Sequence, residues 1–269
     1  MINITLNEKP CTVENISTIG DLADRFKPGA DVLILNGFPV PAHTPFSAGD
    51  SVFLIKRGEI PFQEELEALM VARHTPGVHA RLKAATVGIA GAGGLGSAIA
   101  VALARIGVGK LVVADFDVVE PSNLNRQQYF IDQIGMLKVD ALAENLKRIN
   151  PYVKMVTVPG LLTPVNIPEI FSGCSIVVEA LDRADMKAML VDTVLEQMPK
   201  ATVVAASGLA GYGPNNEIIT RKVSRRLYLS GDGTSAARPG SGLMAPRVAI
   251  AAGHQANQVV RIILGEEDI

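Results

Sequence analysis

The chain has 269 residues, of which 48% are apolar and 19% charged, with a formal net charge of −2. This composition excludes a disordered or fibrous chain and suits one large α/β domain plus one small one, with a sizeable buried core. The near-neutral balance gives no global attraction to nucleic acid or anionic membrane, so an anionic ligand must be bound locally.

In chain order, residues 2–6 alternate apolar and polar as a half-buried strand does, and Asn7-Glu8-Lys9-Pro10 reads as a hairpin turn. Ser17 and Thr18 offer N-cap hydroxyls before an amphipathic stretch, Ile19 to Phe26, and residues 32–35 and 52–55 read as further strands. The order β-β-α-β-β fills a small first unit, residues 1–61. Pro61 opens a linker helix over residues 62–73, which Thr75-Pro76-Gly77 breaks. From residue 86 onward short apolar runs (86–90, 111–114, 153–158, 175–178, 202–206) alternate with helical stretches (97–105, 138–149, 186–198, 245–264). That alternation predicts a Rossmann-like, mostly parallel sheet flanked by helices over a second domain, residues 62–269.

Gly91-Ala92-Gly93-Gly94-Leu95-Gly96 is a G-x-G-x-x-G loop between a strand and a helix, where glycines allow a tight turn and a close backbone approach to phosphate. Asp115 follows Gly91 by 24 residues, at the end of the next strand, where a carboxylate can accept from ribose hydroxyls. To this point a nicotinamide oxidoreductase is equally served. Next come Asp115-Phe116-Asp117-Val118-Val119-Glu120-Pro121-Ser122-Asn123-Leu124-Asn125-Arg126-Gln127-Gln128 and Gly135-Met136-Leu137-Lys138, a basic set that an ordinary dinucleotide site does not need.

This stretch resembles the D-x-D-x-V-x-x-S-N-L-x-R-Q and G-x-x-K signature of the ThiF/MoeB/HesA family, bacterial relatives of ubiquitin-activating enzymes. The resemblance implies that Gly91, Gly93, Gly94, Gly96, Asp115, Asp117, Asn123 and Gln127 bind ATP, while Arg126 and Lys138 stabilise charge on the α-phosphate as pyrophosphate leaves. Glu179-Ala180-Leu181-Asp182-Arg183 aligns with the family's D-x-x-D-N, which implies Asp182 as the Mg²⁺ ligand; Glu179 and Arg183 depart from that pattern. Arg73 is the best match to an arginine that relatives send across a homodimer interface.

Residues 1–61 resemble the β-grasp sulfur carriers of the ThiS/MoaD type, but Lys56-Arg57-Gly58-Glu59-Ile60-Pro61 runs on toward the linker helix without a terminal diglycine. The carrier is therefore expected to be a separate ubiquitin-like sulfur carrier protein of ThiS type, adenylated on its C-terminal carboxylate in thiamine biosynthesis. The alternatives are a MoaD-type carrier, a tRNA or small carboxylate substrate, or a non-catalytic carrier-binding scaffold. The two cysteines, Cys11 and Cys174, form neither a disulfide framework nor a paired C-x-x-C, so no zinc and no covalent enzyme intermediate are expected. The glycine-rich segment 230–242 reads either as unstructured chain or as a loop over the groove that receives a carrier tail. No apolar run reaches the ~18 residues of a membrane span, and Met1–Glu8 has no basic n-region before an apolar stretch. A cytoplasmic protein is expected, without a membrane or nucleic-acid partner.

Overall fold

The computed structural model describes residues 1–266 and Asp268. It divides into two compact units, Met1–Pro76 and Gly77–Ile269.

The first unit contains β1 (Ile2–Leu6), β2 (Lys9–Val13), α1 (Ile19–Phe26), β3 (Val32–Leu35), β4 (Phe38–Pro39), β5 (Ser51–Ile55) and α2 (Gln63–His74). Its sheet runs β2-β1-β5-β3-β4, with β1 and β5 parallel and the other pairs antiparallel. Asn7 and Glu8 both take positive φ, 46° and 64°, the twist a two-residue hairpin loop requires. The hairpin turn is therefore narrower than the tetrapeptide read from sequence, and Lys9 and Pro10 already belong to β2. Thr18 and Asp21 cap α1 reciprocally, and Ile19 and Leu22 pack with Ile4, Val13, Val52 and Leu54. This is the expected β-grasp arrangement.

The sequence reading ends the first domain at residue 61 and opens the second with the linker helix; by packing, α2 lies in the first compact unit, which extends to Pro76. The physical tie is Lys27, whose ammonium lies 3.0 Å from Glu59 and 3.1 Å from Glu65 of α2. Asn7 Nδ2 also donates to Glu65 at 3.4 Å.

The second unit is a three-layer α/β domain. In order it holds α3 (Pro76–Ala84), β6 (Thr86–Ala90), α4 (Gly94–Arg105), β7 (Lys110–Asp115), α5 (Lys138–Ile149), β8 (Lys154–Pro159) and α6 (Ile167–Ile170). There follow β9 (Ile176–Glu179), α7 (Ala184–Gln197), β10 (Thr202–Ala206), β11 (Ile219–Ser224), β12 (Leu227–Gly231) and α8 (Ala245–Ile263). The sheet order is β11-β12-β10-β9-β6-β7-β8, parallel throughout except for the edge pair β11–β12. Strands buried on both faces read as continuous apolar runs: Val87 and Ile89 face α4, α5 and α8, while Val112, Val177 and Val203 face α6 and α7. Gly88 leaves room for Phe171, whose Cδ1 lies 2.5 Å from where a Cβ would sit.

Several elements differ from the sequence reading. Thr75, at φ 70°, ends α2, and Pro76 then starts α3 at the first helical position, where its missing N–H costs nothing. The hairpin β11–β12 went unread because β11, ITRKVS, is a polar edge strand with almost no apolar alternation. Helix α4 begins at Gly94 rather than Ser97, so the last glycines of the loop form its first turn. Among the described residues, no helix is long and apolar enough to cross a membrane.

Candidate functional site

The chain leaves β6 for β7 and β8 on one side and returns through β9 on the other, so β6 lies at the topological switch point where open α/β sheets bind ligands. The glycine loop leaves the C-terminal end of this strand. Gly91, at φ +99°, lies so close to β9's exit that a Cβ would stand 2.6 Å from the Ala180 carbonyl oxygen. A Cβ on Gly96 would overlap the Gly91 carbonyl oxygen, so these two glycines serve loop closure. Gly93 is different: a Cβ there would meet nothing nearer than Gln127 Nε2 at 3.9 Å, and as N-cap of α4 it supplies no side-chain bond to the first-turn N–H groups.

The peptide at Ala92 is held from both sides. Its N–H donates to Asp115 Oδ2 at 2.6 Å, and its carbonyl accepts from the Tyr129 hydroxyl at 2.6 Å. Ser97 Oγ donates to Gly93 O at 2.7 Å and accepts from Gln128 N at 3.1 Å, which joins the loop to the segment carrying Arg126. Burial pushes the Asp115 carboxyl up, against the backbone N–H groups of Ala92 and Asp117 that favour its ionised form. Burial, reinforced by Asp115 and Asp117, raises the Tyr129 phenol and keeps it a donor.

Asp117 N donates to Asp115 Oδ1 at 2.8 Å, and its carboxylate holds the buried Lys138 ammonium at 2.8 Å. Asn123 is buried, its Oδ1 accepting from Glu120 N at 3.1 Å and its Nδ2 donating to Ser122 Oγ at 3.4 Å. Arg126 Nη1 donates to Asn125 Oδ1 at 2.8 Å and to Ser122 O at 3.3 Å, while its Cγ lies 3.5 Å from the Cβ position of Gly94. Gln127 is buried, and its Oε1 has no hydrogen-bond partner among the described residues. The glycine loop, Asp115, Asp117, Asn123, Arg126, Gln127 and Lys138 thus gather around one strand end.

Asp182 is exposed just beyond β9, the other neighbour of β6. Glu179 is 1% exposed and saturated: it accepts from Leu181 N at 2.7 Å, Ala206 N at 3.2 Å and the Lys187 ammonium at 2.9 and 3.0 Å. It locks β9 to β10. Arg73 belongs to the first unit, on α2, where it pairs with Glu8 at 3.3 Å. Burial pushes the Cys174 thiol up to about 11, which leaves it protonated near neutrality.

Residues 230–242 are not unstructured chain. Asp232 carboxylate oxygens accept from Thr234 N (2.8 Å), Ser235 N (2.7 Å), Ser235 Oγ (2.6 Å) and Arg247 Nη2 (2.7 Å). Arg247, at the start of α8, also donates to Gly213 O at 2.7 Å, clasping the loop after β10. Burial opposes ionisation of Asp232, but these bonds from Ser235, Thr234 and Arg247 hold its carboxyl well below the usual carboxylate range.

Sequence reasoning did not find Tyr129, Ser97 or Arg247. None sits in a spacing with its own chemistry, and each has a backbone partner that only the folded chain brings near: Ala92 O for Tyr129, Gln128 N for Ser97 and Gly213 O for Arg247.

The chain is similar in part to known proteins. Adenylyltransferase and sulfurtransferase UBA4 of Eremothecium gossypii is 38% identical over 163 residues, covering 58% of this chain and 36% of that protein. The protein of that name from Candida glabrata is 40% identical over 147 residues, covering 54% and 34%. The chain thus spans about a third of the length of these curated relatives. Among solved structures, E. coli tRNA N6-threonylcarbamoyladenosine dehydratase TcdA superposes with a TM-score of 0.67 at 21% identity, over 76% of this chain and 95% of that one. E. coli MccB with ATP gives 0.57 at 21% identity, over 80% and 68%. At such identity the likeness is one of fold. The model of the ThiS-like ubiquitin family matches residues 2–58, and that of the ThiF family matches residues 67–269. With three quarters of its length, the whole glycine-loop site included, inside that second match, the chain belongs to the ThiF family.

Proposed function

We propose that this chain uses ATP to adenylate the C-terminal carboxylate of a separate ubiquitin-like carrier, of the ThiS type that serves thiamine biosynthesis. The observation that carries the reading is the placement of Arg126 and Lys138 beside a glycine loop whose open face is Gly93. The unpartnered amide oxygen of the buried Gln127 marks unused hydrogen-bonding capacity at that face, as a site for a polar ligand requires.

In this reading the first-turn N–H groups of α4 and the Gly93–Gly94 backbone cradle the phosphates. Asp115 still has lone pairs free for ribose hydroxyls, since each oxygen accepts one backbone hydrogen bond. Asn123 would contact the phosphates, and its carbonyl accepts from Arg126 N at 3.1 Å in the turn they share. The carrier carboxylate, ionised at neutral pH, attacks the α-phosphorus directly, so no general base is needed. The P–O bond to the leaving pyrophosphate breaks, and acyl-adenylate and pyrophosphate result. Lys138, held by Asp117, and Arg126 present fixed positive charge where the transition state gathers negative charge; removal of one such group costs ~10²–10³ in rate. Mg²⁺, when bound, would neutralise phosphate charge, with the exposed Asp182 as its carboxylate ligand. Arg73 would serve the terminal phosphates of a second copy in a homodimer.

ATP–pyrophosphate exchange, measured with and without ThiS-type and MoaD-type carriers, tests the reading. Exchange should need a carrier that ends in intact diglycine and should favour the ThiS type. Exchange that ignores every carrier overturns it. Arg126→Ala should lower exchange by at least ~100-fold with the unfolding temperature unchanged, because its guanidinium makes only local bonds.

A further inference from the structure

We propose that Asn125 is a positioning residue: it sets the guanidinium of Arg126 and is itself set by the carbonyl of Leu243, at the end of the glycine-rich segment. The inference rests on the adenylation reading above, in which Arg126 faces phosphate.

The argument is one of hydrogen-bond polarity. Asn125 Nδ2 donates to Leu243 O at 3.1 Å, and its Oδ1 accepts from Arg126 Nη1 at 2.8 Å. A carbonyl can only accept and a guanidinium can only donate, so the two neighbours admit a single orientation of the amide. That orientation holds one nitrogen of Arg126, with Ser122 O as its second acceptor at 3.3 Å. Arg126 Nε and Nη2 have no protein partner among the described residues and remain for a ligand beside the pocket formed with Gln127, Ala245 and Val248.

The far end of the connection is equally defined. Gly242 O, one residue before Leu243, accepts from Gly211 N at 2.7 Å, in the loop that follows β10. Ala210 N in turn donates to Ser235 Oγ at 3.1 Å, and Ser235 is bound to Asp232. A continuous path therefore runs from the two loops beyond β10 and β12, through Leu243 and Asn125, to the cation beside the glycine loop. Asn125 is the only side chain in the Arg126 turn that bonds across to that segment among the described residues.

Calorimetric titration of ATP into the full chain tests the coupling in a double-mutant cycle. Asn125→Leu keeps the branched shape and removes both bonds; it should weaken ATP binding about tenfold, the worth of one charge-assisted hydrogen bond. Asn125→Asp keeps an acceptor toward Arg126 but sets a carboxylate oxygen against the Leu243 carbonyl, so its loss should fall between wild type and the Leu variant. In the Arg126→Ala background, Asn125→Leu should add less than about twofold, because its effect acts through the missing guanidinium. Multiplying effects, wild-type affinity in Asn125→Leu, or equal losses in the Leu and Asp variants would each overturn the proposal. A wild-type chain that binds no ATP counts against the adenylation reading itself, whereas wild-type binding with any of those three patterns counts against Asn125 alone.

Discussion

The glycines of one motif have unequal tasks. Gly91 combines φ +99° with a Cβ position 2.6 Å from a backbone oxygen, so Gly91→Ala should cost on the order of 3 kcal/mol, from left-handed strain plus overpacking against backbone that cannot swing aside. Gly93→Ala meets only a side-chain nitrogen at 3.9 Å and should leave denaturant stability almost unchanged while impairing ATP binding. Equal losses of stability in the two variants would refute this division. The G-x-G-x-x-G spacing was legible because it needs only a strand before it and a helix after it. Which glycine closes the loop and which faces the ligand depends on Ala180, 89 residues after Gly91, and no local pattern carries that. Glu179 has the same lesson. Its type departs from the family's aspartate, and the reason appears in space: the longer carboxylate reaches Lys187 and Ala206 N together and serves to join two strands.

At the scale of elements, the periodic apolar runs of the parallel strands and of α5, α7 and α8 were legible because burial on both faces imposes them. The hairpin β11–β12 was not, since an edge strand exposed along one side has no such constraint. The glycine-rich segment was illegible for another reason: its order comes from Asp232, which folds the chain onto its carboxylate, and from Arg247 fifteen residues further on in α8. This clasp has a pH signature. The folded-state pKa of Asp232 lies below that of the unfolded chain, so its stabilisation is fully present above the ordinary carboxylate value of about 4 and is lost as pH falls through the depressed folded value. Asp232→Asn should therefore lower the unfolding temperature at pH 7, and the gap to wild type should close as the solution is acidified below about pH 4. A gap independent of pH would show that the carboxylate charge is not what holds the loops.

For the molecule as a whole, the placement of α2 in the first unit yields a test of where the units divide. A fragment of residues 1–76 retains Glu65 against Lys27 and Asn7, and residues 1–61 do not. The longer fragment should unfold several degrees higher, since ~1 kcal/mol shifts the midpoint of so small a domain by about 4–8 °C. Identical midpoints would return α2 to the status of a linker. The order of strands in the second unit reaches further than its architecture. Because β6 pairs with β9 and Gly91 packs on Ala180, the glycine loop gains its native packing only once β9 is in place, although its own residues are complete by position 96. Its maturation awaits closure of a contact spanning some ninety residues, the slow kind of step in folding. The ATP binding proposed above would then be acquired only at the end of folding, and ATP present at that moment would draw late intermediates toward the native state by mass action.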